Sequence, residues 1–200
     1  MCWNAEVSLN TFLYGLVSAI IVYVLNIVPS YIILILMSIT SMQLLEYFAW
    51  TYIDNEKINK ILSIIGLHII FLQIFLVNYY GSDEKYRKYL LSTIIILYIL
   101  FVLIEFKNIN FRMSKAENGH LRWHWLDLPI PWIIIGLLCY IIPSLFTKNL
   151  YGFYFIIIPL SISLYTYYRY STWGSMWCYL SNFAWLFILI HFFITRNYNK

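Results

Sequence analysis

The chain has 200 residues, is 62% hydrophobic and 20% aromatic, and carries only 11% charged side chains. Its mean hydropathy is +0.73, whereas soluble domains hold about 25% charged residues, so this composition excludes an ordinary soluble domain and makes the bilayer the solvent. The net charge of +4 is spread over several loops, with no Lys/Arg block of the kind that binds nucleic acid. The expected fold class is all-α: one polytopic membrane helix bundle over residues 1–200, with no soluble module.

Seven apolar runs follow in chain order: Leu9–Asn26, Tyr31–Ile53, Ile61–Tyr80, Tyr89–Phe106, Leu128–Phe146, Leu150–Tyr168 and Ser175–Ile194. Each has about the length a helix needs to cross a ~30 Å hydrocarbon core. The runs are continuous rather than alternating, which argues against a β-barrel. The first lacks a basic leader and a small-residue cleavage motif, so it reads as a retained helix. Pro29 separates runs one and two. Asp54–Lys60 and Gly81–Lys88 are short charged turns. Lys107–Asp127 is the one long loop, and its His, Arg and Trp residues read as an amphipathic interfacial segment.

Asp127 is expected to cap the fifth helix, with Pro129 and Pro131 in its first turn. Pro143 and Pro159 fall inside runs and predict kinks. Tyr79, Tyr80, Trp123, Trp125, Trp132 and Trp173 sit at run ends, as in an interfacial aromatic belt. With seven spans, the loops on the N-terminal face carry Lys57, Lys60, Lys107, Arg112, Lys115, Arg122 and Arg169. The other face carries Lys85, Arg87, Lys88, Lys148, Arg196 and Lys200. That balance does not fix an orientation.

Glu46 is the most informative residue. It stands inside the second apolar run, one helical turn after Gln43, and a carboxylate there costs roughly 2.5–3.5 kcal/mol on insertion scales. Such a group needs a partner, a cavity or a metal. Glu46 and His68 each lie seven residues from the turn between helices two and three, hence roughly 10 Å below the same face, and are expected to meet. The seventh helix brings Cys178, Ser181 and Asn182 to that face, and the N-terminus brings Cys2. The candidate polar cluster is therefore Glu46, Gln43, His68, Cys178, Ser181, Asn182 and Cys2. His120 and His124 lie in the long loop at the same end. If a metal is held, its candidate ligands are Glu46, His68, Cys178 and His124. The bland reading of each is a hydrogen-bonded packing residue.

The three cysteines, Cys2, Cys139 and Cys178, are widely spaced and imply no disulfide framework. Cys139 reads as a small apolar filler. Were Met1 removed, Cys2 would present an amine beside a thiol, a candidate nucleophile, ligand or acylation site.

Three segments together carry a resemblance: Met1-Cys2-Trp3-Asn4-Ala5-Glu6-Val7-Ser8, Gln43-Leu44-Leu45-Glu46-Tyr47-Phe48-Ala49-Trp50, and Trp177-Cys178. They resemble a family of uncharacterised small multi-spanning membrane proteins of bacteria, fungi and large DNA viruses. Its pattern is an opening MC-x-x-A-x-x-S, then Q-x-x-E-x-x-x-W in the second helix and W-C at the last. The resemblance singles out Cys2, Ala5, Ser8, Gln43, Glu46, Trp50, Trp177 and Cys178. Asn4 departs from the Ser of the pattern. The family brings no activity with it. The abundance of Ile, Asn, Tyr and Lys fits an AT-rich genome, such as that of a large virus.

Three functions compete at this level. The first is a non-catalytic membrane protein whose polar cluster holds the bundle or binds a lipid or partner. The second is a zinc-dependent lipid hydrolase, with the metal activating water. The paired histidines that mark ceramidase-type zinc amidases in their last helix are missing, since helix seven carries only His191. The third is a proton-linked transporter or sensor using Glu46 and His68. The lack of a lysine within helix seven before its end argues against a retinal Schiff base.

Overall fold

The computed structural model describes residues 4–145 and 150–198, with side chains over 4–143 and 157–196. In chain order the helices are α1 (Ala5–Val24), α2 (Ser30–Thr51), α3 (Glu56–Gly81) and α4 (Glu84–Glu105). After them come α5 (Ile130–Leu145), α6 (Leu150–Tyr167), α7 (Trp173–Ser181) and α8 (Phe183–Tyr198). Among the described residues, five segments are long and apolar enough to cross a membrane: α1, α2, α3, α4 and the joined α7–α8 segment Trp173–Arg196. Part of α5, Ile130–Pro143, forms a shorter apolar helix.

The helix boundaries follow from local chemistry. Asn4 and Asn55 cap α1 and α3, their side chains accepting from Val7 N at 2.9 Å and Ile58 N at 3.1 Å. Such caps satisfy N–H groups that have no intrahelical partner. Asp83 accepts from Lys85 N at the start of α4. Asn26 turns the chain out of α1 at φ 51°, a left-handed conformation that Asn tolerates better than most residues, and Pro29 then precedes α2. Pro143 and Pro159 do lie inside α5 and α6.

The exterior of the bundle is oily and the interior is partly polar. Val17, Ile20, Val24, Ile96, Leu103 and Phe187 are exposed, while Thr40, Gln43, Glu46, Ser63, Gln73 and Asn78 are buried. In lipid this is the economical arrangement, because a polar group finds partners only inside the protein. Gln73 of α3 donates to Ser38 O of α2 at 3.0 Å and accepts from Tyr140 Oη of α5 at 2.5 Å. Asn78 donates to Cys139 O at 2.8 Å, a second tie between α3 and α5.

The segment between α4 and α5 differs from the expected surface loop. Met113–Lys115 (β1) and Leu121–Trp123 (β2) pair antiparallel, with Met113 opposite Trp123. Gly119 takes φ 81° in the turn between them. Met113, Leu121 and Trp123 are each no more than 1% exposed, so this hairpin is a wedge driven into the end of the bundle. Asn59 at the start of α3 clamps it. The side chain donates to Ile53 O at 2.9 Å and Met113 O at 3.0 Å, and accepts from Met113 N at 2.8 Å. The hairpin tip reaches the α6–α7 connection, where Asn118 donates to Thr172 Oγ1 at 3.0 Å. Asp127 ends the short 3-10 turn His124–Leu126 and pairs with Arg122 at 2.7 Å. It does not cap α5, which starts only at Ile130.

Candidate functional site

Glu46 is wholly buried, as is Gln43. The Gln43 amide lies one turn back on the same helix face and donates to Glu46 Oε2 at 3.4 Å. The hairpin supplies the opposite wall. Trp123 Nε1 donates to Ser175 Oγ of α7 at 2.8 Å and lies 3.4 Å from Glu46 Oε1. Ser175 Oγ in turn donates to Leu121 O at 3.2 Å. One indole N–H is thus shared between a carboxylate of α2 and a hydroxyl of α7. Gly66 of α3 makes room for the ring, since a Cβ there would stand 2.5 Å from Trp123 Cζ3.

A second polar node lies deeper. Thr40 Oγ1 donates to Asn182 Oδ1 at 2.8 Å and accepts from Trp185 Nε1 at 3.0 Å. Asn182 Nδ2 donates to Cys178 O at 2.8 Å. Gly15 of α1 packs on this node, with Thr40 Cγ2 at 2.5 Å from an added Cβ. Thr40 is six residues from Glu46, about 9 Å along α2. Asn182 therefore belongs to a node that ties α2 to the α7–α8 break rather than to the Glu46 cluster. Ser181 is buried nearby at the end of α7. Cys178 packs in the same core as Met42, Leu45 and Trp123.

His68 does not join Glu46. It is exposed on α3, its Nδ1 is 2.8 Å from Ile64 O, and its ring meets Tyr98 of α4 edge-on. Position along a helix sets depth but not azimuth. Gly66 faces Trp123 and Leu45, and at about 100° per residue a side chain two positions on points elsewhere. His120 precedes β2 and His124 opens the 3-10 turn that follows it, so the two do not lie on one helix. His120 is buried edge-on to Tyr167. His124 Nε2 is 2.8 Å from Ser114 Oγ. Burial lowers the pKa of both; Arg122 and Arg112 push His124 further down against the opposing pull of Asp127. His191 is exposed and stacks on Phe187. Cys2 lies outside the described residues.

The four metal candidates Glu46, His68, Cys178 and His124 do not converge on one point, since His68 faces Tyr98 and His124 meets Ser114. Among the described residues no group of three His, Cys, Asp or Glu side chains is placed to hold an ion. Trp123, Ser175 and Asn59 escaped the sequence reading. A signal for the first was present: Leu121, Trp123 and Trp125 alternate with Arg122 and His124, the period of a half-buried strand.

Beside the Glu46 cluster lies an apolar cavity of about 160 Å³. Its walls are Ile70 and Ile74 of α3, Tyr98 and Phe101 of α4, Gly136 and Tyr140 of α5, and Trp177 and Cys178 of α7; among the described residues no charged side chain lines it. Trp132 pins the top of α5 to α4, meeting Phe101 edge-on and donating to Glu105 Oε1 at 3.0 Å. Below that pin, α4 packs on α3 but has no more than isolated contacts with α5 among the described residues. Side chains of both helices line the cavity. Nothing lies within 4 Å of a Cβ added at Gly136, so the space is open at that level. Comparison with protein-family models, curated proteins and solved structures gives no match.

Proposed function

We propose that this chain is a seven-span membrane protein that binds one hydrocarbon chain of a lipid in the cavity between α3, α4, α5 and α7. The two spans beyond the five long apolar segments are α5 and α6. The resemblance carried by Gln43, Glu46, Trp177 and Cys178 is what supports reading it beside the MC-x-x-A-x-x-S family of small membrane proteins. The observation that carries the binding reading is the apolar cavity of about 160 Å³ between these helices, with no charged side chain among its described walls. An engineered apolar cavity of about 150 Å³ stays dry and takes benzene. A space of similar size facing lipid is filled most cheaply by a chain segment. The Glu46, Gln43, Trp123 and Ser175 cluster then has a structural role: it seats the hairpin, whose Trp123 walls the cavity together with Trp125 and Leu126 of the turn that follows.

This reading favours the non-catalytic alternative over metal-dependent hydrolysis and proton relay, because both of those used His68 together with Glu46. The test is quenching of intrinsic tryptophan fluorescence by a detergent-soluble bromoalkyl alcohol, with wild type and Gly136→Leu compared. Saturable quenching in wild type, lost in a Gly136→Leu protein that still unfolds cooperatively, is expected. Equal, non-saturable quenching of both would overturn the reading.

A further inference from the structure

The apolar cavity gathers aromatic rings. The chain has eight tryptophans, and Trp123, Trp125, Trp132, Trp173 and Trp177 all line this one space. An interfacial belt would leave such rings at the lipid headgroups. Instead Trp123, Trp125, Trp173 and Trp177 are each no more than 7% exposed. They are committed to the wall of a cavity rather than to the bilayer.

The wall rings also meet in pairs across the helix boundaries. Phe71 of α3 stacks on Tyr98 of α4 with centroids 3.7 Å apart. Phe101 of α4 meets Trp132 of α5 edge-on at 5.3 Å, and Tyr140 of α5 meets Trp177 of α7 edge-on at 4.8 Å. All six residues line the cavity, so a ring pair bridges each step from α3 to α4, α4 to α5 and α5 to α7. An aromatic ring has a negative face and a positive edge. A wall built from such rings favours an occupant with a quadrupole of its own, which a saturated chain lacks. The volume of about 160 Å³ is close to the roughly 150 Å³ that admits one benzene. The space is thus sized for a single six-membered ring.

We propose that the chain bound in this cavity ends in an aromatic ring, so that the ligand class is the ring-tipped lipid rather than the saturated acyl chain. The ring sits among Phe71, Phe101, Tyr140 and Trp177. This inference rests on the chain-binding reading above, and the experiment separates the two. The full-length protein in detergent is loaded with bromoundecanol, which quenches tryptophan. Undecanol, phenylpentanol and cyclohexylpentanol are then titrated in to displace it. All three carry the same number of carbons, and phenyl and cyclohexyl are rings of similar size, only one of which has a π-system. Each affinity is corrected for the partition of that alcohol into the micelle.

Phenylpentanol is expected to bind about three- to tenfold more tightly than cyclohexylpentanol, as one ring–ring contact allows. Phe71→Leu combined with Phe101→Leu keeps the wall apolar and should bring that ratio to about one, with undecanol's affinity unchanged. Equal binding of the two rings by wild type, or tighter binding of cyclohexylpentanol, would overturn ring selection and leave chain binding standing. A full preference for phenyl retained in the folded double variant would overturn the placement of the ring. Displacement by none of the three alcohols would overturn chain binding itself. If the double variant does not fold, the single substitution Phe71→Leu takes its place, and the wild-type ratio of phenyl to cyclohexyl still decides ring selection.

Discussion

Trp123 and Glu46 are 77 positions apart in sequence, yet Trp123 Nε1 lies 3.4 Å from Glu46 Oε1. A loop residue therefore supplies a donor to the most costly side chain in the second span. Substituting Trp123→Phe removes the N–H from both Glu46 and Ser175 while keeping an aromatic ring. The expected loss is about 1–3 kcal/mol, the cost of leaving a buried polar group short of a partner. Thermal unfolding in detergent would check this, and an unchanged midpoint would show that the contact carries no stability.

The glycines form a graded series. Gly66→Ala places a methyl 2.5 Å from Trp123 Cζ3 and 2.9 Å from Cη2, and a buried indole has nowhere to move. A loss of about 1–3 kcal/mol is expected from overpacking. At Gly174 the same change meets Leu126 Cδ1 at 2.5 Å, the far end of a flexible side chain, so the loss should be smaller. Gly136→Ala meets nothing within 4 Å and should be neutral or stabilising by up to about 1 kcal/mol through helix propensity. Melting midpoints ranked in any other order would contradict the packing described.

Asn59→Ala unhooks the hairpin from the α2–α3 turn. It deletes three hydrogen bonds, including the partner of the buried Met113 N–H. A loss of about 2–4 kcal/mol is expected, at roughly 1 kcal/mol per bond plus the cost of an unsatisfied donor. Limited proteolysis between Lys107 and Arg122 should accelerate. Digestion at the wild-type rate would mean that the hairpin is seated by other contacts.

Acid should loosen the same region. His120 and His124 have lowered pKa values, while an unfolded imidazole titrates near 6.5. Their neutral burial costs nothing above that pH. As pH falls below about 6.5, the unfolded chain takes up protons that the folded one resists, and stability drops. The expected readout is a melting midpoint that falls from about pH 6.5 downward, with a shallower slope in His124→Gln. A slope that is the same in His124→Gln would remove His124 from the account.

Much of this fold is legible in the sequence because the bilayer imposes a length rule. The apolar runs around α1 to α4 and α7–α8 mark helices whose ends fall within a few residues of Pro29, Asn55, Asp83 and the Arg169–Gly174 connection. Glu46 with Gln43 is legible for the converse reason: a carboxylate in an oily run stands out. The partner of Glu46 is not legible, because a position in a helix gives depth without azimuth. That is why His68, at the right depth, faces Tyr98 instead. Ser175 and Trp123 are hidden differently. Serine is unremarkable in a helix, and Trp123 sits among charged residues that look like an interface. Only the alternation of Leu121, Trp123 and Trp125 betrays a buried strand.

The seat of Trp123 also dictates an order of assembly. Its walls come from Gly66 in α3, Glu46 in α2 and Ser175 in α7. A ribosome makes the first two before the wedge and the last one after it. The hairpin therefore has no complete berth until α5 and α6 have been made and α7 follows. It is the keystone of the bundle, set last although it lies in the middle of the chain. A chain truncated before Trp173 would lack the Ser175 wall of that berth.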